Sequence, residues 1–336
     1  MLKSPYSETA AVRPRVVLVL GLMLGAVAVA VAPRTHAQQS EYPSKPIRYI
    51  VAVAPGGIND FLARVVGAKL SEAWGQPVIV DNRPGAGANV GANLVAKSQP
   101  DGYTILNASL GHAINVTFYE KLDYDLRKDL APVSYLASAP LIICVPATLP
   151  IKSINELVAY AKATPSNYGT GFVGSISHVS VELFKRQMGV NMNQVPYSGG
   201  GPAAIALASG QVQVVFNAVP ELISFVKSGR VRAIGITSAK RSPLLPEVPT
   251  AEEQGVRNFE MGNWVGVMTR AGTPPATIRK LSAEIDRILR QPDVREKLLA
   301  QGFDIGGGTP EQFGKFLNTE IDRWGKVIKA IGAKAE

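Results

Sequence analysis

Hydrophobic and polar positions along this chain switch repeatedly between two periods. Ile47 to Val53 is a β-branched run that stops at Pro55-Gly56-Gly57. Beyond it Phe61, Leu62, Val65, Val66 and Leu70 recur on one helical face, and that helix is expected to end near Trp74-Gly75. Val78-Ile79-Val80 predicts a second strand, Asn82-Arg83-Pro84-Gly85 a turn, Asn89 to Lys97 a helix and Tyr103 to Leu106 a third strand. Strands alternating with helices predict an α/β fold with largely parallel sheets. The loops after such strands gather at one edge, where open α/β sheets bind ligands.

The alternation restarts at Leu141-Ile142-Ile143-Cys144-Val145. Helices are expected at Ile154, Leu157 and Val158, from about Val179 to Met188, and around Leu222 to Lys227; strands are expected at Val212 to Phe216 and Val231 to Thr237. After Phe259 there is one more apolar stretch, Trp264 to Met268, and then helices only. The last opens with Thr309-Pro310-Glu311-Gln312, a capping box with proline at the first helical position. Three amphipathic helices without strands for a sheet of their own are expected to pack back on the first unit, although they could equally cap the second. The first arrangement has the chain crossing between units near Ala137 to Leu141 and again near Phe259 to Trp264. Two crossings give a hinge with a cleft between two lobes. The expected division is 38–138 for the first lobe, 139–258 for the second and 259–336 for the return.

The start of the chain reads differently. Lys3, Arg13 and Arg15 precede an uncharged run from Val16 to Ala32, and Thr35-His36-Ala37 follows as a small-x-small cleavage signature. Residues 1–37 are therefore expected to be a secretory signal peptide, so that the mature protein is exported; the alternative is an uncleaved anchor. Cleavage would leave 31 basic against 25 acidic residues, lowering the formal +9 to +6. The basic residues are scattered and not interleaved with aromatics, so no nucleic-acid partner is expected. Hydrophobic residues at 46% and charged residues at 18% give enough apolar material for a packed core. The single cysteine, Cys144, excludes an internal disulfide, and three histidines leave little for a metal site.

Candidate chemistry concentrates in glycine-rich loops ahead of helices. Pro55-Gly56-Gly57-Ile58-Asn59-Asp60 joins a strand to a helix whose first N–H groups lack internal partners, an arrangement suited to an anion. Equally, it is a tight turn in which Asn59 or Asp60 caps the helix. Gly169 to His178, with Ser177 as the expected N-cap, is its counterpart in the second unit, and Pro196 to Pro202 opens a further helix. Gly85 to Gly91 is spaced G-x-G-x-x-x-G after the second strand, which mismatches the dinucleotide fingerprint. No phosphate-binding P-loop and no G-x-S-x-G elbow occurs, and His112 and His178 lie in no metal-ligand spacing. No catalytic residue, cofactor or metal is expected, which disfavours a hydrolase or a dehydrogenase.

Tyr42-Pro43 with Lys45-Pro46-Ile47, Pro55-Gly56-Gly57 with Asp60 and Ala63-Arg64, and Asn82 to Gly87 stand in an order that continues down the chain. It runs through Pro100-Asp101-Gly102-Tyr103-Thr104, His112 to Asn115, Val195-Pro196-Tyr197, Gly210-Gln211-Val212 and Arg241-Ser242-Pro243, and ends at Pro246 to Thr250. From Tyr42 to about Trp324 the chain thereby resembles the periplasmic substrate receptors of tripartite tricarboxylate transporters, the Bug family. The resemblance implies a type II periplasmic-binding-protein fold, two α/β lobes about a hinge, closing as a Venus flytrap on a small carboxylate. It implies that backbone N–H groups and small polar side chains hold that carboxylate. Gly57, Ile58, Asn59 and Asp60 would serve from the first lobe with Ser109 and His112, and Ser175, Ser177, His178 and Tyr197 from the second. The implied partners are the carboxylate and integral-membrane permease subunits, with the receptor a monomer; a signalling role through a membrane sensor is the alternative. Asn217 stands where many relatives carry an acid, so the ligand is expected to lack a cationic amine.

Overall fold

The computed structural model describes Met1 and residues 42–335; the expected signal peptide therefore lies, but for Met1, outside the described residues. β1 (Ile47–Val51) leads into α1 (Ile58–Trp74), β2 (Val78–Asn82), α2 (Asn89–Ala96), β3 (Thr104–Ser109) and α3 (Leu110–Phe118). β1 pairs in parallel with both β2 and β3. α1 buries Ile58, Leu62, Val65, Val66 and Leu70, so the 3.6-residue period seen in the sequence is the period of its core contact. Phe61 sits at the margin of that face, stacked on Phe303 at 5.7 Å.

β4 (Leu130–Pro146) is 17 residues long. Its first part, to Pro140, pairs with a later strand of the first lobe, and from Leu141 it pairs with strands of the second. The second lobe then builds α4 (Ile154–Ala163), β5 (Asn167–Thr170), α5 (Ile176–Met188), β6 (Asn193–Pro196), α6 (Gly200–Ala208), β7 (Val214–Ala218), α7 (Val219–Lys227) and β8 (Val231–Ile236). β5 runs parallel to β6 and β7. The chain returns through β9 (Gly262–Arg270), antiparallel to β3 and β4, and ends in α8 (Pro275–Leu289), α9 (Pro292–Leu299), β10 (Asp304–Ile305) and α10 (Pro310–Ile331).

The result is the two-lobed α/β fold. The expected parallel pairing holds for the three outer strands of each lobe; the long strands β4 and β9, which carry the chain across, add antiparallel neighbours between them. The strand expected to begin at Leu141 starts eleven residues earlier, because Pro132 and Pro140 interrupt its alternating pattern. Pro132 is accommodated beside a register shift, where a missing N–H disturbs the ladder least.

α10 packs on α3 and β4, and α8 on α1 and β4. The capping box forms as expected: the Gln312 N–H donates to Thr309 Oγ1 at 3.3 Å, and the Thr309 N–H donates to Gln312 Oε1 at 2.8 Å. Phe313, 1% exposed, fills the space above Gly266, where a Cβ would come within 2.3 Å of its ring. Trp264 lies edge-on to Phe313 at 5.9 Å. Glu320 accepts from both the Trp264 and Trp324 indole N–H groups, at 3.1 and 3.2 Å. These contacts make the tail helix part of the core that holds β9. Phe313→Ala is expected to lower unfolding free energy by about 3–5 kcal/mol in urea denaturation; a loss below about 1 kcal/mol would show that the tail is dispensable.

Candidate functional site

The loop after β1 enters α1 through Gly57, which is the N-cap and has no side chain to offer the helix. The expected capping by Asn59 or Asp60 does not occur. The helix's first amides are therefore left to partners from elsewhere, and one comes from the other lobe: the Ile58 N–H donates to Glu221 Oε1 at 3.2 Å. Beside it the Ala54 N–H donates to the Ser198 carbonyl at 2.8 Å. Backbones approach closely here. A Cβ on Gly201 would lie 2.7 Å from the Gly56 carbonyl carbon, and one on Gly200 would fall 2.1 Å from Glu221 Oε1. Glycine at these positions is what lets the two lobes meet.

Behind this contact lies a cavity of about 40 Å³, room for a few waters at most. Of the residues singled out in the sequence, Gly57, Ile58, Asn59, Ser109, Ser175, Ser177 and Asn217 line it. Asn59 is 5% exposed, and its Nδ2 is enclosed without a hydrogen-bond partner. Asn217 Nδ2 donates to the Gly200 carbonyl at 3.0 Å. The N-cap of α5 is Ser175, two residues earlier than the expected Ser177, and it accepts from the His178 N–H at 3.3 Å. Ser175 Oγ donates to the Phe172 carbonyl at 2.6 Å. With that proton committed, the 2.8 Å contact between the two hydroxyls must be donated by Ser177, which itself accepts from the Gly171 N–H. Neither hydroxyl has a spare proton for a ligand in this arrangement.

Asp60, His112, His178 and Tyr197 are not among the lining residues. Burial works against the charge of Asp60, but Arg64, the Gly56 N–H and Asn82 outweigh it and hold its carboxyl below the ordinary range. Its Oδ2 accepts from the Gly56 N–H at 3.2 Å, so Asp60 ties the loop to α1. Burial pushes His112 down to about 4, against its backbone contacts at Ser109 and Ala88. Its Nδ1 accepts from the Ser109 N–H at 3.1 Å, which orients a cavity-lining serine. His178 is likewise lowered by burial, and its Nδ1 accepts from the Gly174 N–H at 3.2 Å. The Tyr197 ring packs near Gly169.

Sequence reasoning missed Glu221, Asn263 and Phe172, all of which line the cavity. Glu221 stands in the first turn of the helix that follows β7, a place where an acid carries no local signal of a site. Asn263 Oδ1 is a second enclosed atom without a partner. Lysine and arginine are absent from the lining, and Glu221 is its one ionisable side chain. The loop at Gly85 to Gly91 stands apart from the cavity; Asn115 Nδ2 donates to its Gly87 carbonyl at 2.7 Å. A larger groove of about 990 Å³ between α3 and α10 is open and contains none of these residues.

Two α/β lobes joined by crossing strands, with a small cavity of mixed polar and apolar lining between them, define a solute-binding receptor. The model of the tripartite tricarboxylate transporter family receptor matches residues 62–333, and the chain belongs to that family, whose members are receptors and not enzymes. It is 36% identical over 324 residues to the protein BugT of Bordetella pertussis, covering 95% of this chain and 98% of BugT. The solved structure of R. palustris Rpa4515 with adipate matches with a TM-score of 0.84 at 35% identity, covering 88% of this chain and 99% of that one. MatC from Rhodopseudomonas palustris with bound malate matches with a TM-score of 0.80 at 32% identity, covering 85% and 100%.

Two outcomes follow from this geometry. Gly201→Ala should cost the closed form about 1–3 kcal/mol, since the clash is with backbone, and small-angle scattering should show a larger radius of gyration than wild type; equal radii would mean the lobes meet without this contact. His112, neutral in the fold, contributes stability that is fully present above its unfolded value of 6.5 and is lost as pH falls toward about 4. The stability gap between wild type and His112→Gln should therefore narrow by up to about 3 kcal/mol between pH 7.5 and pH 4 in urea titrations. A gap that stays constant would show that His112 is not buried in its neutral form.

Proposed function

We propose that this chain is a periplasmic receptor that closes its lobes on a small organic carboxylate and delivers it to the membrane subunits of a tripartite transporter, acting as a monomer. The observation that carries the reading is Asn59 Nδ2, a buried donor without a partner, beside the N-terminus of α1 in a cavity free of lysine and arginine. Backbone N–H groups at a helix start, together with the helix dipole, favour an anion. Adipate in Rpa4515 and malate in MatC support a carboxylate as the class of ligand. The neutral Asn217, bonded to the Gly200 carbonyl, supports a ligand without an amine. The signal-like start of the chain supports export.

Magnitudes agree with this mode of binding. Micromolar affinity requires about −8 kcal/mol. Hydrogen bonds to a charged group contribute roughly 1.5–3 kcal/mol each, so three or four at one carboxylate supply much of that. Because the closed cavity admits only a few waters, the ligand enters an open form and closure follows.

Adipate, malate or citrate at 100 times its dissociation constant should stabilise the protein by about 2.7 kcal/mol, read as a thermal shift. Asn59→Asp replaces a donor by an anion and should weaken that ligand at least tenfold, a loss of roughly 1.4 kcal/mol or more. Unchanged affinity in the variant would remove Asn59 from the site.

A further inference from the structure

We propose that Glu221 is a specificity residue that holds a proton when the ligand's carboxylate arrives, so that capture of the anion is linked to proton uptake. The inference rests on the reading that an organic carboxylate binds at the start of α1.

Glu221 already sits where that carboxylate would go. Its Oε1 accepts the Ile58 N–H at 3.2 Å, and its carboxyl group lies against the open faces of Gly57 and Gly200. A ligand carboxylate must take that N–H from Glu221 or settle beside it. Either way two carboxyl groups share one helix N-terminus, with no cation among the lining residues to separate them. Like charges at hydrogen-bonding distance in a low-dielectric site do not both ionise; one keeps a proton. A protonated Glu221 can donate to a ligand oxygen, which an ionised one repels. The ligand's own carboxyl groups are the ordinary, more acidic ones, so the proton resides on Glu221.

The surroundings leave Glu221 as the group that titrates. Burial pushes its carboxyl up to about 7, against the Ile58 and Ala218 N–H groups that favour the anion. From α1, Asp60 faces Arg64 and is paired with it. From α3, His112 is held neutral, and from α5, His178 is lowered by burial, with Glu182 and Lys185 bonded to each other. α6 and β7 bring no ionisable side chain. β4 brings the Cys144 thiol, which burial pushes up, and β8 brings Arg232, which is bonded to the carbonyls of Ala147, Leu149 and Ile151. On its own helix, Lys227 lies in the last turn. The turn at Gly302 touches Val219 and carries no ionisable residue from 300 to 303.

The sign follows from linkage. If the anion binds only the protonated form, apparent affinity falls with the protonated fraction, which is about nine-tenths at pH 6 and about one-tenth at pH 8 for a group titrating near 7. Adipate and malate should first be screened by thermal shift on the chain from Gln38 onward at pH 6. If neither shifts wild type, the carboxylate reading itself fails and this inference with it. For the tighter of the two, calorimetry should show about tenfold weaker binding at pH 8 than at pH 6, and uptake of about half a proton per ligand at pH 7 across buffers of different ionisation enthalpy. Glu221→Gln should bind with the same affinity at both pH values, within about twofold, and without proton uptake. Glu221→Ala, with no acid and no amide, should also lose the proton uptake. Wild-type binding that is flat in pH, or proton uptake that persists in both variants, would overturn the role of Glu221 while leaving the receptor intact. Tighter binding of aspartate than malate at pH 8 would overturn it too, because it would mean that an ionised Glu221 pairs with an amine.

Discussion

The Ile58 N–H faces a carboxylate from the opposite lobe, and the shape of the cleft depends on that contact. A helix N-terminus carries several donors and a partial positive charge, and here the N-cap is a glycine that satisfies none of them. In the closed molecule Glu221 supplies the missing acceptor. The same constraint explains the glycines on both sides. Gly56 and Gly57 in one lobe and Gly200 and Gly201 in the other bring backbone to backbone, and a methyl group at Gly201 would strike the Gly56 carbonyl.

An anion site built this way differs from one built on arginine. Backbone amides are fixed by the helix and lose no rotamer freedom on binding, whereas a long basic side chain would. They also carry only partial charges, so a neighbouring acid is felt strongly. Glu221 therefore has an influence here that it would lack beside a guanidinium. The serines illustrate how completely the second lobe is tied up: the chain of bonds from the Gly171 N–H through Ser177 and Ser175 to the Phe172 carbonyl uses both hydroxyl protons. What stays unspent around the cavity is amide chemistry, a donor at Asn59 and an acceptor at Asn263.

Much of this was legible in the residues. Short apolar runs located β1, β2 and β8, and period-3.6 patterns located α1, α2 and α10; the helices bury one face each, whereas β1 is buried along nearly its whole length. The three tail helices were legible as amphipathic, but their pattern left open which of the two units they cover. The first half of β4 was hidden by Pro132 and Pro140, because proline ordinarily argues against an interior strand, and Pro132 is accommodated here only beside a register shift. In the cleft, the loop at Gly56 and Gly57 announced itself by composition. Glu221 did not, because an acid in the first turn of a helix is ordinarily a solvated one, and only the approach of the opposite lobe encloses its carboxyl. Asn263 was invisible for a similar reason: nothing local distinguishes an asparagine at the start of a crossing strand. Asp60 shows the converse, a residue in the right loop whose charge is already consumed by Arg64 and the Gly56 N–H.

The central claim is that main-chain donors at the start of α1 hold an organic acid between the lobes. A crystal structure with adipate tests it most directly. A carboxylate oxygen should lie within hydrogen-bond distance of the Ile58 N–H and of Asn59 Nδ2, with the Glu221 carboxyl moved aside or bonded to the ligand. Adipate seated instead in the open groove between α3 and α10, with the Ile58–Glu221 bond intact, would contradict it.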